Sequence, residues 1–141
     1  MPTHHLSAFS AAPPERVFDL WTDLARMKEW VGGVTKVTDI TGPLERAGTR
    51  YVVWVGPMKS PTEVLEVERP RRFKTRFGNG ILRGVSSTTF EPEGGGTRIV
   101  VEMRTEGLVS AITSRLFALG SYKGSYQGEL NDFAKLAERV A

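Results

Sequence analysis

Between Val34 and Thr105 apolar and polar residues alternate, and on both sides of that stretch apolar residues recur at helical spacing. The alternation is clearest late in the stretch. Ile99, Val101 and Met103 share one parity, while Arg98, Glu102 and Arg104 share the other. Leu65 and Val67 oppose Glu66 and Glu68; Phe73, Thr75 and Phe77 oppose Arg72, Lys74 and Arg76. A period of two puts successive side chains on opposite faces, so each segment reads as a strand with one buried and one wet face. The pattern predicts strands near 34–41, 48–56, 62–69, 72–78, 81–91 and 97–106. Asn79-Gly80 is a two-residue hairpin signal, because both turn positions need positive φ. Glu93-Gly94-Gly95-Gly96 reads as a longer, flexible turn, and Gly42-Pro43 and Gly56-Pro57 mark further loops. Strands at this spacing, joined by hairpins, make an antiparallel meander.

Residues 4–11 read as a first strand whose inward parity stays open, as does that of the 48–56 strand. Pro13-Pro14 opens a helix, since proline suits the first turn and Glu15 complements the helix dipole there. Val17, Leu20, Trp21 and Leu24 give that helix its apolar stripe. Thr22-Asp23 is placed to cap a second short helix, 24–31, that ends at Gly32-Gly33. After Gly107 the helical period returns through Ile112, Leu116, Leu119, Lys123, Tyr126, Leu130, Phe133 and Ala137. A helix of about 30 residues would run roughly 45 Å, which predicts a break or bend near Gly120. The order is one strand, two short helices, six strands and one long helix. That is an α+β arrangement.

Length and composition narrow the picture. The chain has 141 residues, one domain's worth (1–141), and 40% apolar residues suffice for a core. Cysteine is absent, which removes disulfides, thiol nucleophiles and cysteine-ligated metals. His4 and His5 point to opposite faces of a strand, so no transition-metal site and no cofactor is expected. No apolar run is long enough for a membrane span, and Met-Pro-Thr-His-His has no signal-peptide pattern. A bacterial-type cytoplasm is the expected compartment. A net charge of +3 permits an anionic partner without demanding one.

Several segments together resemble a known family. Ala12-Pro13-Pro14-Glu15-Arg16-Val17-Phe18, Trp21-Thr22-Asp23 and Trp30 are similar to the opening of START/Bet v 1-like (SRPBCC) proteins. Within that superfamily the nearest branch is the bacterial polyketide cyclase/dehydrase and lipid-transport group. Glu63 to Phe73 resembles its fourth strand and turn, Gly96-Thr97-Arg98-Ile99 its last hairpin, and Leu130 to Glu138 the end of its long helix. The resemblance implies a helix-grip fold: a seven-stranded antiparallel sheet curved around a long C-terminal helix, with two short helices between strands 1 and 2. It also implies a hydrophobic cavity between sheet and helix.

The residues offer candidates for that cavity. Trp30, Tyr51, Trp54, Met58, Phe77, Phe90, Met103, Phe117, Tyr122 and Tyr126 form an aromatic and methionine set that either lines a pocket or fills a core. Lys123 interrupts the apolar helical stripe, and either reaches solvent or anchors an anion inside. Glu63 shares parity with Leu65 and Val67, which makes it a candidate inward acid. Gly120, Gly124 and Gly128 repeat on one helix face, for close packing, for a bend or to make room for a ligand. Arg69, Arg71, Arg72, Lys74 and Arg76 read as the wet face of a strand rather than a nucleic-acid stripe. The reading that follows is a binder of a small hydrophobic or aromatic molecule, lipid- or polyketide-like, as monomer or homodimer. The rival is a cyclase/dehydrase-type enzyme working through Tyr51, Glu63, Arg69, Tyr122 and Tyr126.

Overall fold

The alternating stretch folds into antiparallel strands. The computed structural model describes residues 3–30, 34–55, 57–78, 83–106 and 121–139, without the side chains of 55, 58, 106 and 121–126. The described strands are β1 (Thr3–Ser10), β2 (Val34–Thr38), β3 (Arg50–Val55), β4 (Met58–Glu68), β5 (Arg72–Gly78), β6 (Arg83–Glu93) and β7 (Gly96–Glu106). They form one antiparallel sheet in the order β1-β7-β6-β5-β4-β3-β2. The meander runs from β2 to β7, and β1 closes its far side by pairing with β7.

β4 begins at Met58, four residues before the predicted start, and so includes Pro61. Its pairing with β5 begins only at Thr62, so Pro61 faces a neighbour on the β3 side, opposite Val52. A residue without an N–H is tolerated where one side of the ladder is unpaired. The turn at Gly94-Gly95 is tighter than the expected long loop. Glu93 and Gly96 pair directly, and the two glycines between them have φ of 56° and 83°. Both positions need the left-handed region, which glycine enters without steric cost.

Helix α1 (Pro14–Trp21) starts as the two prolines predict: Pro13 is extended and Pro14 takes the first helical turn. The next element is a 3-10 helix, Leu24–Glu29, not an α-helix. The expected cap is not formed there. Asp23 makes no side-chain capping bond, and Thr22 Oγ1 instead donates back to the Phe18 carbonyl at 3.1 Å, finishing α1. A threonine hydroxyl has a carbonyl of the preceding turn within reach, and here that local bond wins. The C-terminal helix α2 is Ser121–Arg139; the predicted bend at Gly120 and the apolar positions 112–119 lie outside the described residues.

The core is made where α1 and the second half of α2 meet the sheet. Phe18, Phe90, Ile99 and Phe133 are fully buried there, with Leu6, Ala8, Val101, Leu130 and Ala137 around them. Phe18 meets Phe73 and Phe90 edge-on, at 6.2 and 5.6 Å between centroids. α2 is fastened along β1 by polar bonds. Ser10 Oγ donates to the Ala134 carbonyl (2.8 Å), the Ala11 amide to Glu138 Oε2 (3.0 Å) and Gln127 Nε2 to the Ser7 carbonyl (2.8 Å). Thr97 Oγ1 donates to the Ala12 carbonyl (2.8 Å), so the chain leaving β1 has its buried polar groups satisfied.

Candidate functional site

Register and burial together assign the two faces of the sheet. On β1, His4, Leu6, Ala8 and Ser10 are buried and their alternates exposed. Following the pairs across the sheet, the inner face carries cross-strand rows. One row is Tyr51, Thr62, Phe77, Gly84, Thr105; the next is Val64, Thr75, Ser86, Met103, His4. A third is Val67, Phe73, Thr88, Val101, Leu6, and a fourth begins at Phe90, Ile99, Ala8.

These rows differ in chemistry. The rows of Phe73 and Phe90 meet α1 through Phe18, and Trp21 lies 5.8 Å from the Phe90 ring. The rows of Tyr51 and Val64 are rich in hydroxyls: Tyr51, Thr62, Thr75 and Thr105 are all buried, with Ser86 half-buried among them. Among the described residues no carboxylate, lysine or arginine occupies an inner-face position of these rows. Burial raises the Tyr51 pKa well above the ordinary phenol value, so the group stays a protonated hydrogen-bond donor. His4 is the titratable imidazole on this face, and burial followed by the nearby His5 charge holds its pKa below the usual value.

Of the sequence candidates, Tyr51, Phe77, Phe90 and Met103 do face inward. Phe90 is fully buried against Phe18 and Trp21, so it is core. Trp30 follows the 3-10 helix and sits between Trp21 (4.9 Å) and Phe133 (4.7 Å). Its Nε1 is buried without an acceptor among the described residues. Phe117 lies outside the described residues; Met58, Tyr122, Lys123 and Tyr126 lie on β4 and α2 where side chains are not described.

Trp54 and Glu63 are on the outer face. Trp54 is three residues from Tyr51 in one strand, so the two cannot share a face. Its Nε1 donates to Thr38 Oγ1 (2.9 Å), with the Lys36 and Lys59 ammonium groups 4.5 and 4.8 Å from its ring. Glu63 is turned outward by a bulge. The β4–β5 register slips between Val64 and Glu66, which makes Leu65 an extra residue and reverses parity on one side of it. Val64 and Val67 are therefore both inward, and Glu63 sits opposite Arg76 at 3.9 Å. Arg69 is also outside the site. Its guanidinium makes a bidentate pair with Asp19 (3.0 and 2.9 Å), tying the β4–β5 turn to α1. Alternation puts Thr75 inward and Tyr51 is among the aromatic candidates, but Thr62, Ser86 and Thr105 are not singled out by the sequence. The available signal was threonine or serine at inward parity on adjacent strands.

Among the described residues no three His, Asp or Glu side chains come close enough to hold a metal. No described helix is long and apolar enough to cross a membrane.

A curved antiparallel sheet with two short helices after its first strand and a C-terminal helix across its inner face defines a Bet v 1-like protein. Solved structures agree with that class. Ara h 8.0201 superposes with a TM-score of 0.72 at 14% identity, covering 99% of both chains. Protein MLL2253 from Mesorhizobium loti gives 0.74 at 21% identity, with 99% of each chain covered. TTHA0849 from Thermus thermophilus gives 0.64 at 26% identity, covering 98% of this chain and 95% of that one. No curated protein sequence matches the chain. The family model for polyketide cyclase / dehydrase and lipid transport matches residues 1–138, and the chain belongs to that family. Family and fold together support a ligand-binding role.

Proposed function

We propose that the protein binds a small, mainly apolar molecule carrying oxygen functions, lipid- or polyketide-like, between the inner face of the sheet and α2. The observation that carries this reading is the pair of hydroxyl-rich rows. They are buried and, among the described residues, free of formal charge apart from what His4 can carry. An apolar ligand alone would gain nothing from the Tyr51 and Thr75 hydroxyls. Hydroxyls placed among Phe77, Val64 and Met103 suit a ligand with a few carbonyl or hydroxyl groups on a flat or extended carbon frame. Tyr51 is assigned as a donor to one such oxygen.

Binding ranks above cyclisation for a stated reason. Among the described cyclase candidates Glu63 and Arg69 are turned away from this face, and the imidazole that does face it, His4, lies on β1 at the far side of the sheet from Tyr51. The test has two parts. Protein purified without delipidation and examined by native mass spectrometry should carry a bound compound. A hydroxylated polycyclic aromatic probe should then bind Tyr51→Phe and Thr75→Val more weakly, by about 1 kcal/mol each if one hydrogen bond is lost. Unchanged affinity in both variants, or inner space filled by side chains, would overturn the proposal.

A further inference from the structure

On the face of the sheet turned away from α2 lies a groove of about 880 Å³. Its volume falls in the range of small-molecule pockets, roughly 300–1,000 Å³. Alternation assigns this face to solvent, yet the groove contains Val52, Leu65 and Val85, all half-buried. The charged residues around them are five cations, Arg50, Lys74, Arg76, Arg83 and Arg104, against three carboxylates, Asp39, Glu63 and Glu102. The carboxylates are partly occupied already: Glu63 faces Arg76 at 3.9 Å and Glu102 faces His5 at 4.0 Å. Arg50, Lys74 and Arg104 have no ion-pair partner among the described residues.

The register explains how these groups converge. Arg50, Glu63, Arg76, Val85 and Arg104 form one continuous row across β3, β4, β5, β6 and β7. Val85 therefore sits between Arg76 and Arg104, two strands apart, a spacing of about 10 Å. The Arg76 guanidinium turns to Glu63 on the β4 side, and Arg104 is Val85's neighbour on the β7 side. Lys74 lies one outward position along β5, and the bulge at Leu65 is what places a leucine beside it on this face.

We propose that this groove is a second binding site, for an amphiphilic organic anion. The apolar body lies on Val52, Leu65 and Val85, and the carboxylate or sulfonate is held by Lys74 and Arg104. Net positive charge and an apolar floor fit that chemistry and exclude a neutral lipid as the preferred occupant. Tyr51, Thr62, Phe77 and Gly84, which belong to the inner-face rows, also border this groove, so the two sites share those strand segments while their charged groups lie on the outer face alone.

The probe is 8-anilinonaphthalene-1-sulfonate, titrated against wild type, Lys74→Glu/Arg104→Glu and Thr75→Val, with 1-naphthol as the uncharged control. Amide shifts from NMR locate the site. The sulfonate should perturb Arg76, Val85 and Arg104 amides, and its affinity should drop about tenfold or more in the double charge variant. It should also weaken as salt rises from about 50 to about 500 mM, because the rim is exposed to screening. Thr75→Val, an inner-face position that does not border the groove, should leave these outer-face shifts unchanged, and naphthol binding should be the same in the charge variant. Arg104→Gln provides a milder second variant, with a smaller loss in the same direction, and thermal midpoints check that each variant folds. Equal sulfonate affinity in wild type and the charge variants would overturn the site. So would shifts confined to inner-face amides, or binding of a polyglutamate peptide with no outer-face response to the small anion. Loss of the inner-face hydroxyl effect alone would bear on the proposed function and leave this groove standing.

Discussion

Gly84 stands on the inner face between Phe77 and Thr105, in the row that carries Tyr51. A β-carbon there would fall on the carbonyl oxygen of Arg104, with Phe77 Cζ 3.1 Å away. Backbone cannot step aside as a side-chain tip can. Gly84→Ala is therefore expected to lower stability by about 1–3 kcal/mol, read as a shift in the urea midpoint. His4 supports a second expectation at this scale. Its folded pKa lies below the ordinary 6.5, so between the two values the unfolded chain binds more protons. Stability should then rise with pH through that window and fall as the solution is acidified below about 6.5. Denaturation midpoints measured from about pH 5 to 8 should show this slope, and His4→Gln should flatten it. A slope identical in the variant would assign the effect to other groups. Residues of this kind were only partly legible. Tyr51 was found because aromatic side chains stand out, whereas the threonines beside it look like ordinary strand formers.

At the scale of elements, α1, the meander and the closing hairpin were readable from spacing and turn residues, and strand ends moved by a few residues. The bulge in β4 was not readable. Glu63-Val64-Leu65-Glu66-Val67 fits simple alternation, and only pairing with β5 shows that Leu65 is extra. That one residue decides where Glu63 points and gives the outer groove part of its apolar floor. The glycine repeat of α2 is now partly resolved. Of its three readings, close packing does not fit Gly128, where a β-carbon would meet nothing within 4 Å among the described residues. Gly128→Ala should thus stabilise the protein by up to about 1 kcal/mol through helix propensity. Ligand affinity should not change. A lower thermal midpoint for this variant would show that the position is closely packed after all.

For the molecule as a whole, Phe133 is the point where three elements meet. It is fully buried, and its ring lies 5.0 Å from Trp21 and 4.7 Å from Trp30. Phe133→Ala should cost about 3–5 kcal/mol, a large part of the roughly 5–15 kcal/mol by which a domain is stable. Because two tryptophans border the ring, the near-ultraviolet circular dichroism should change as well. An unchanged spectrum and midpoint would mean that α2 is held chiefly by its polar bonds to β1. The hydrogen bonds from Ser10, Ala11 and Gln127 make that alternative measurable in Ser10→Ala and Gln127→Ala.

The sequence by itself determined the class of fold, the order of its elements and the core positions of α1, β5, β7 and α2 such as Val17, Leu20, Phe73, Ile99, Val101, Leu130 and Phe133. Those properties follow from period and from turn chemistry, which act over a few neighbouring positions. Tertiary structure alone decided the inward parity of β1 and β3, the outward turn of Glu63 and Trp54, and the gathering of hydroxyls from β3, β4, β5, β6 and β7 into adjacent rows. Each of these depends on which residue sits opposite which across a strand pair. A one-residue slip reverses every side chain beyond it, and such a slip leaves no mark on the local pattern of apolar and polar residues.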